Sequence, residues 1–173
     1  MTGESEETMV RMGELSVSRT PGHVLASIGL GSCIGLVLIE AQRPLAGLAH
    51  IVLPSSSSGS DAVGKFADSA VPALIEQMTA IGAMRSRLHA VLVGGAHMFA
   101  LESASSLDIG RRNEQAAREA LARAGLEVRA AATGGNKGRT VRVYVDEGRV
   151  TVKEPGEDHV EIFSSLQAAG ALR

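Results

Sequence analysis

The sequence is poor in aromatic residues: no tryptophan, one tyrosine and three phenylalanines in 173 residues. A core must therefore be built mainly from Ala, Val, Leu and Ile, within a hydrophobic share of 45%. A single cysteine, Cys33, excludes an internal disulfide and gives no sign of an oxidising compartment. The net charge is only −2, with no basic block, which argues against a nucleic-acid partner. No apolar run approaches the ~20 residues needed to span a bilayer, so no direct membrane insertion is expected. The first ten residues, "MTGESEETMV", lack the basic start and apolar run of a secretory signal. A cytoplasmic protein is the resulting expectation. The length suits one domain, taken as 9–173, with residues 1–8 as a disordered tail.

What is present is mostly strand pattern. Runs at 23–30, 34–40, 45–54, 88–95 and 126–133 are short, aliphatic and bounded by Gly, Pro or Ser, and read as strands. Residues 140–154 alternate around "DEG", which signals a hairpin, and 159–163 reads as a last strand. Helices are expected at about 65–82, where Phe66, Ala70, Leu74, Ile75, Met78 and Ile81 share one face, and at 110–125. Strands outnumber helices and come in hairpins. The expected class is α+β, a single-domain α/β sandwich with a mixed or antiparallel sheet.

The cysteine sits in "GLGSCIG" (29–35), between small residues. A dinucleotide fingerprint is excluded because the third glycine falls one residue late and a strand, not a helix, follows. "GSCIG" matches the letters of a nucleophile elbow but lacks the helix that must come next. "GGNKGRT" (134–140) lacks the spacing of a phosphate loop and reads as a tight turn. A third arrangement fits better. His50 lies in the next strand, where a meander would set it beside Cys33 as the base a thiol nucleophile needs. Free N–H groups of the turn at Gly31 and Ser32 could support an oxyanion. Ser27 is a candidate third member, its hydroxyl accepting the imidazole N–H. Residue chemistry alone leaves open that Cys33 is a small buried hydrophobe and His50 a hydrogen-bonded core residue.

Five blocks then carry a resemblance. "GLGSCIG" with "AGLAHIVLP", "GKFADSAV" (64–71), "LVGGAHMF" (92–99), "DIGRRNEQA" (108–116) and "ATGGNKGRTV" (132–141) resemble, in order and spacing, the chemoreceptor glutamine deamidases of the CheD family. The resemblance runs from about residue 12 to 163. It implies a catalytic cysteine at Cys33 and a catalytic histidine at His50. The family's threonine falls on Ser27, which keeps the hydroxyl and loses the methyl that stiffens the rotamer.

The implied reaction hydrolyses specific glutamine amides on the cytoplasmic helices of methyl-accepting chemotaxis receptors, through a cysteine thioester. It implies no metal and no cofactor. His23, His89, His97 and His159 show no paired ligand spacing either. Gly94, Gly95, Phe99, Thr133 and Gly134 are candidates for a substrate or partner surface, and the serine-rich loop at 55–60 for a flap. A CheC-type response-regulator phosphatase is the second implied partner. Two other functions compete: a non-catalytic adaptor regulating such a phosphatase, and a thiol acyl transferase on another substrate. Binding alone needs neither Cys33 nor His50, so that pair favours the catalytic reading over the adaptor.

Overall fold

A computed structural model describes residues 5–56, 62–98 and 109–166. Among these residues, ten strands and two α-helices form three layers. One sheet has the order β1-β3-β8-β9-β10, from Glu7–Met9, Val24–Leu30, Arg139–Tyr144, Arg149–Lys153 and Val160–Ser164. The other has the order β2-β5-β4-β6-β7, from Leu15–Ser18, Ala46–Ile51, Ile34–Glu40, Leu88–Gly94 and Val128–Thr133. Helices α1 (Ala67–Ala80) and α2 (Ile109–Arg123) cover the outer face of the second sheet. Only β1–β3 and β6–β7 are parallel; the other pairs are antiparallel, so both sheets are mixed.

The second sheet is thus the middle layer, apolar on both faces. That is why β4 reads as a continuous aliphatic run. Its even-numbered residues Ile34, Leu36 and Leu38 pack on the helices, while Val37 and Ile39 pack on the other sheet. Few aromatics are needed because the fillers are small. Gly47 lets α1 approach β5 so closely that a Cβ there would meet Leu74, Val17 and Met78 at 3.0–3.1 Å. The buried stripe of α2 consists of Gly110, Asn113, Ala117, Ala120 and Leu121, spaced by helical turns.

Two strands were not anticipated. β1 takes up Glu7 and Thr8, which the expected tail of 1–8 included. They pair with Val24 and Leu25, so the backbone groups of this polar segment are satisfied by β3. β2, "LSVS", pairs with β5 at the sheet edge, and its apolar positions Leu15 and Val17 pack on the helix-side core. The remaining helices and strands lie where expected to within a few residues. The "DEG" turn joins β8 to β9, with Gly148 at a φ of 55°.

Candidate active site

His50 is the penultimate residue of β5 and stands directly opposite Gly35 of β4. Leu48 and Ala46, on the same face of β5, belong to the core between the two sheets, so His50 points into that interlayer. The Cys33 side chain packs on the same cluster, half-buried, just before β4 begins. Diagonal neighbours across an antiparallel pair lie about 7–8 Å apart, within reach of long side chains. The meander therefore sets the thiol and the imidazole on one face.

The imidazole is held from its far side. His50 Nδ1 donates to the Val10 carbonyl at 3.1 Å. A carbonyl only accepts, so Nδ1 carries the proton and Nε2 keeps its lone pair. Ser27, fully buried on β3, donates its hydroxyl to the same Val10 oxygen at 2.7 Å. The expected bond from imidazole to Ser27 is thus replaced by two donors converging on one carbonyl. The physical reason is the sequence just before β2. Val10 is tied to Ala26 by its own N–H, and Gly13 and Glu14 bond the backbone of His50. The main chain of residues 10–14 occupies the position the Ser27 hydroxyl was expected to fill.

Burial pushes the Cys33 thiol above its ordinary value, partly offset by its own backbone N–H. Burial also pushes the His50 imidazole below its ordinary value, against the opposing pull of the Val10 carbonyl and the Glu14 charge. Desolvation penalises both charged forms. Both shifts favour the uncharged pair, thiol and neutral imidazole, the protonation state from which a histidine can accept a thiol proton.

Three consecutive carbonyls of the cysteine turn are pinned. Ala96 N–H bonds the Gly31 oxygen and Gly95 N–H bonds the Cys33 oxygen, each at 2.8 Å. The Ser32 oxygen accepts from Asn113 Nδ2 at 2.9 Å. Gly94 and Gly95 are thus brought to the site by backbone contact. Gly94 has a φ of 110°, and a Cβ on it would run into the Cys33 carbonyl. Gly134 lies one step behind, its N–H on the Gly94 oxygen. Thr133 is turned away to Glu114, to which its hydroxyl donates at 2.8 Å. Arg139 ties these turns together, bonding the Gly94 and Gly134 oxygens through Nη1 and Glu154 through Nε. Phe99 and the flap positions 57–60 lie outside the described residues.

Beside His50 a pocket of 350 Å³ opens between Met9, Val10, Arg11, Met12 and Ile28. Met12, Ile28 and Met98 are exposed although apolar. Met98 lies over Gly31, where a Cβ would meet its Cγ at 3.1 Å. Sequence reasoning passed over Val10 and Asn113. Val10 acts through its backbone, which leaves no trace in residue type. Asn113 had a signal, a polar residue on the buried stripe of α2.

A three-layer sandwich with a half-buried thiol at the start of a central strand, and a tautomer-fixed histidine on the next, has the parts of a cysteine hydrolase of acyl groups. Comparison narrows this class. The profile of the family described as "CheD chemotactic sensory transduction" matches residues 52–154. A "Probable chemoreceptor glutamine deamidase CheD" from Caldanaerobacter subterraneus is 44% identical over 156 residues, 88% of this chain and 96% of that one. Proteins of the same name from Clostridium botulinum (41% over 162 residues, 92% and 99% of the two chains) and Methanococcus vannielii (40% over 149 residues, 86% and 95%) are similar. The chain belongs to the CheD family.

Proposed function

We propose that this protein deamidates glutamine side chains of methyl-accepting chemotaxis receptors, converting them to glutamates, with Cys33 as nucleophile and His50 as general base and acid. The observation that carries the reading is the fixed Nδ1–H tautomer of His50, which leaves Nε2 basic on the face it shares with Cys33. His50 Nε2 takes the thiol proton as sulfur bonds to the carboxamide carbon, and the carbonyl electron pair moves onto oxygen. Collapse of this tetrahedral adduct breaks the C–N bond, and His50 returns the proton to the departing ammonia. Water, deprotonated by His50, then attacks the thioester. The C–S bond breaks, giving glutamate and the free thiol. The balance is glutamine plus water to glutamate plus ammonia, and each oxyanion needs N–H donors near Ser32 and Cys33.

The exposed apolar side chains Met12, Ile28 and Met98 suit a helical substrate whose apolar flank is presented beside the glutamine. We place the reaction in the cytoplasm, where the receptor helices lie. Among the described residues no helix is long and apolar enough to cross a membrane. A CheC-type phosphatase would compete for the same face. Each turnover leaves one new negative charge on a receptor helix, where repulsion between neighbouring carboxylates shifts the signalling balance. The test is mass spectrometry of receptor cytoplasmic fragments incubated with the wild type and with Cys33→Ala. Conversion of defined glutamines by the wild type alone is expected; equal conversion by both proteins would remove Cys33 from the reaction.

A further inference from the structure

Asn113 is fully buried in the middle of the helical layer's apolar stripe. Its two amide hydrogens are spent on two carbonyls from separate parts of the chain: Ser32, just before the cysteine, and Val52, just after β5, each at 2.9 Å. The opposite amide orientation would set Oδ1 against two carbonyl oxygens, so the assignment of N and O is fixed by the surroundings. Oδ1 itself is buried and has no partner among the described residues. A buried polar atom left without a partner calls for an explanation, because an apolar side chain of similar size would avoid it. The two bonds are the only side-chain hydrogen bonds Asn113 makes among the described residues, and both reach toward the site.

The Ser32 carbonyl and the Cys33 N–H belong to one peptide unit. A trans peptide holds C=O and N–H in one plane, pointing in opposite directions. Asn113 grips the oxygen from the helical layer, so the N–H of Cys33 is aimed away from that layer. It lies close enough to the Cys33 thiol to favour the thiolate. Among the described residues this N–H donates to no other backbone or side-chain acceptor, and neither does that of Ser32. Donation to the carbonyl also polarises the peptide unit and strengthens its N–H as a donor. Gly95 and Ala96 hold the flanking carbonyls of Cys33 and Gly31. Asn113 is the side chain that fixes the peptide between them.

Resting on the deamidase reading, we propose that Asn113 is the positioning residue of the oxyanion site. It orients and polarises the Ser32–Cys33 peptide so that the Cys33 N–H meets the oxygen of the tetrahedral adduct, and it locks that turn to the end of the histidine strand through Val52. Asn113 does not touch substrate. Its effect is made in the transition state, where charge develops on oxygen, and not in substrate binding.

The test uses the full chain with Asn113→Leu, which keeps the volume, and Asn113→Ser, which is the milder change. Folding is checked by thermal unfolding, deamidation of a receptor fragment gives kcat and KM, and iodoacetamide reports Cys33 alkylation. Alkylation passes through no oxyanion, so it separates loss of the thiol from loss of the oxyanion site. The expected result is a kcat lowered about 100-fold, the scale of one oxyanion donor, with KM near wild type and the alkylation rate lowered far less than kcat. A folded variant with wild-type kcat would overturn the proposal, as would a parallel loss of alkylation. Failure of both variants to fold would make Asn113 a core residue only, and would also overturn it. A wild type that converts no glutamine sinks the deamidase reading and this proposal together. A converting wild type beside an equally active Asn113→Leu sinks this proposal alone.

Discussion

The hydroxyl of Ser27 and the imidazole of His50 share one acceptor, the Val10 carbonyl, so a change at position 27 reaches the histidine through the main chain. With Ser27 in place the carbonyl divides its lone pairs between two donors and cannot shift. Without it, the same oxygen is freer to stabilise the imidazolium, and the ring gains room to rotate. His50 is held below its ordinary pKa mainly by burial. A base must be neutral to accept the thiol proton, so activity falls as pH drops through the His50 pKa, and the acidic limb should lie below the usual histidine value of about 6.5. Burial raises Cys33, so the alkaline limb should lie above the usual thiol range. In Ser27→Ala, kcat should drop about tenfold, less than the roughly 10²–10⁴-fold that a general base itself contributes, and the acidic limb should move upward. Ser27→Thr should keep both, since the hydroxyl remains and its rotamer stiffens. The kcat–pH profiles of the three proteins check this; a Ser27→Ala profile that overlays the wild type would detach Ser27 from His50.

Single elements set the cysteine turn. The end of β6 reaches under it, and Gly94 is glycine for two independent reasons: its φ of 110° and the Cys33 oxygen lying where a Cβ would go. Gly94→Ala should therefore push the turn away from His50, lowering kcat about 100-fold as misplaced reacting groups do, and should lower the unfolding temperature as well. Wild-type turnover in this variant, measured on the same receptor fragment, would show that the turn tolerates displacement. Much of this architecture was legible beforehand. Buried strands such as β4 announce themselves by unbroken aliphatic runs, and the two helices by their periodic faces. Cys33 stood out as the one cysteine, set among glycines, with His50 in the next strand, but only the five-block resemblance set them apart from ordinary buried residues. β1 and β2 did not stand out, because edge strands of polar or mixed composition owe their pairing to partners far along the chain. The cradle of His50 was hidden for the same reason: it is the backbone of residues 10–14, and backbone atoms are alike in every sequence. Asn113 was written into the pattern of α2, yet only the fold shows that its position faces Ser32 and Val52.

At the scale of the whole molecule, the site lies where two sheets and the helical layer meet. The middle sheet supplies Cys33 and His50. The other sheet supplies Ser27, and β1 leads into the Val10 carbonyl that fixes the base. α2 supplies the clamp on the cysteine peptide. Arg139, nearly buried on β8, ties the first sheet to the Gly94 and Gly134 turns of the second. The proposed reacting centre thus draws on all three layers. Its outer rim is apolar and exposed at Met12, Ile28 and Met98, which suits the proposed receptor helix. The claim at the centre of this architecture is that Cys33 carries the glutamyl group as a thioester. Hydroxylamine, a better nucleophile than water, intercepts such an ester. Deamidation of a receptor fragment in its presence should convert the target glutamine to the glutamyl hydroxamate with the wild type, and to nothing with Cys33→Ala, as read by mass spectrometry. Glutamate formed by Cys33→Ala at the wild-type rate, with no hydroxamate from either protein, would contradict it.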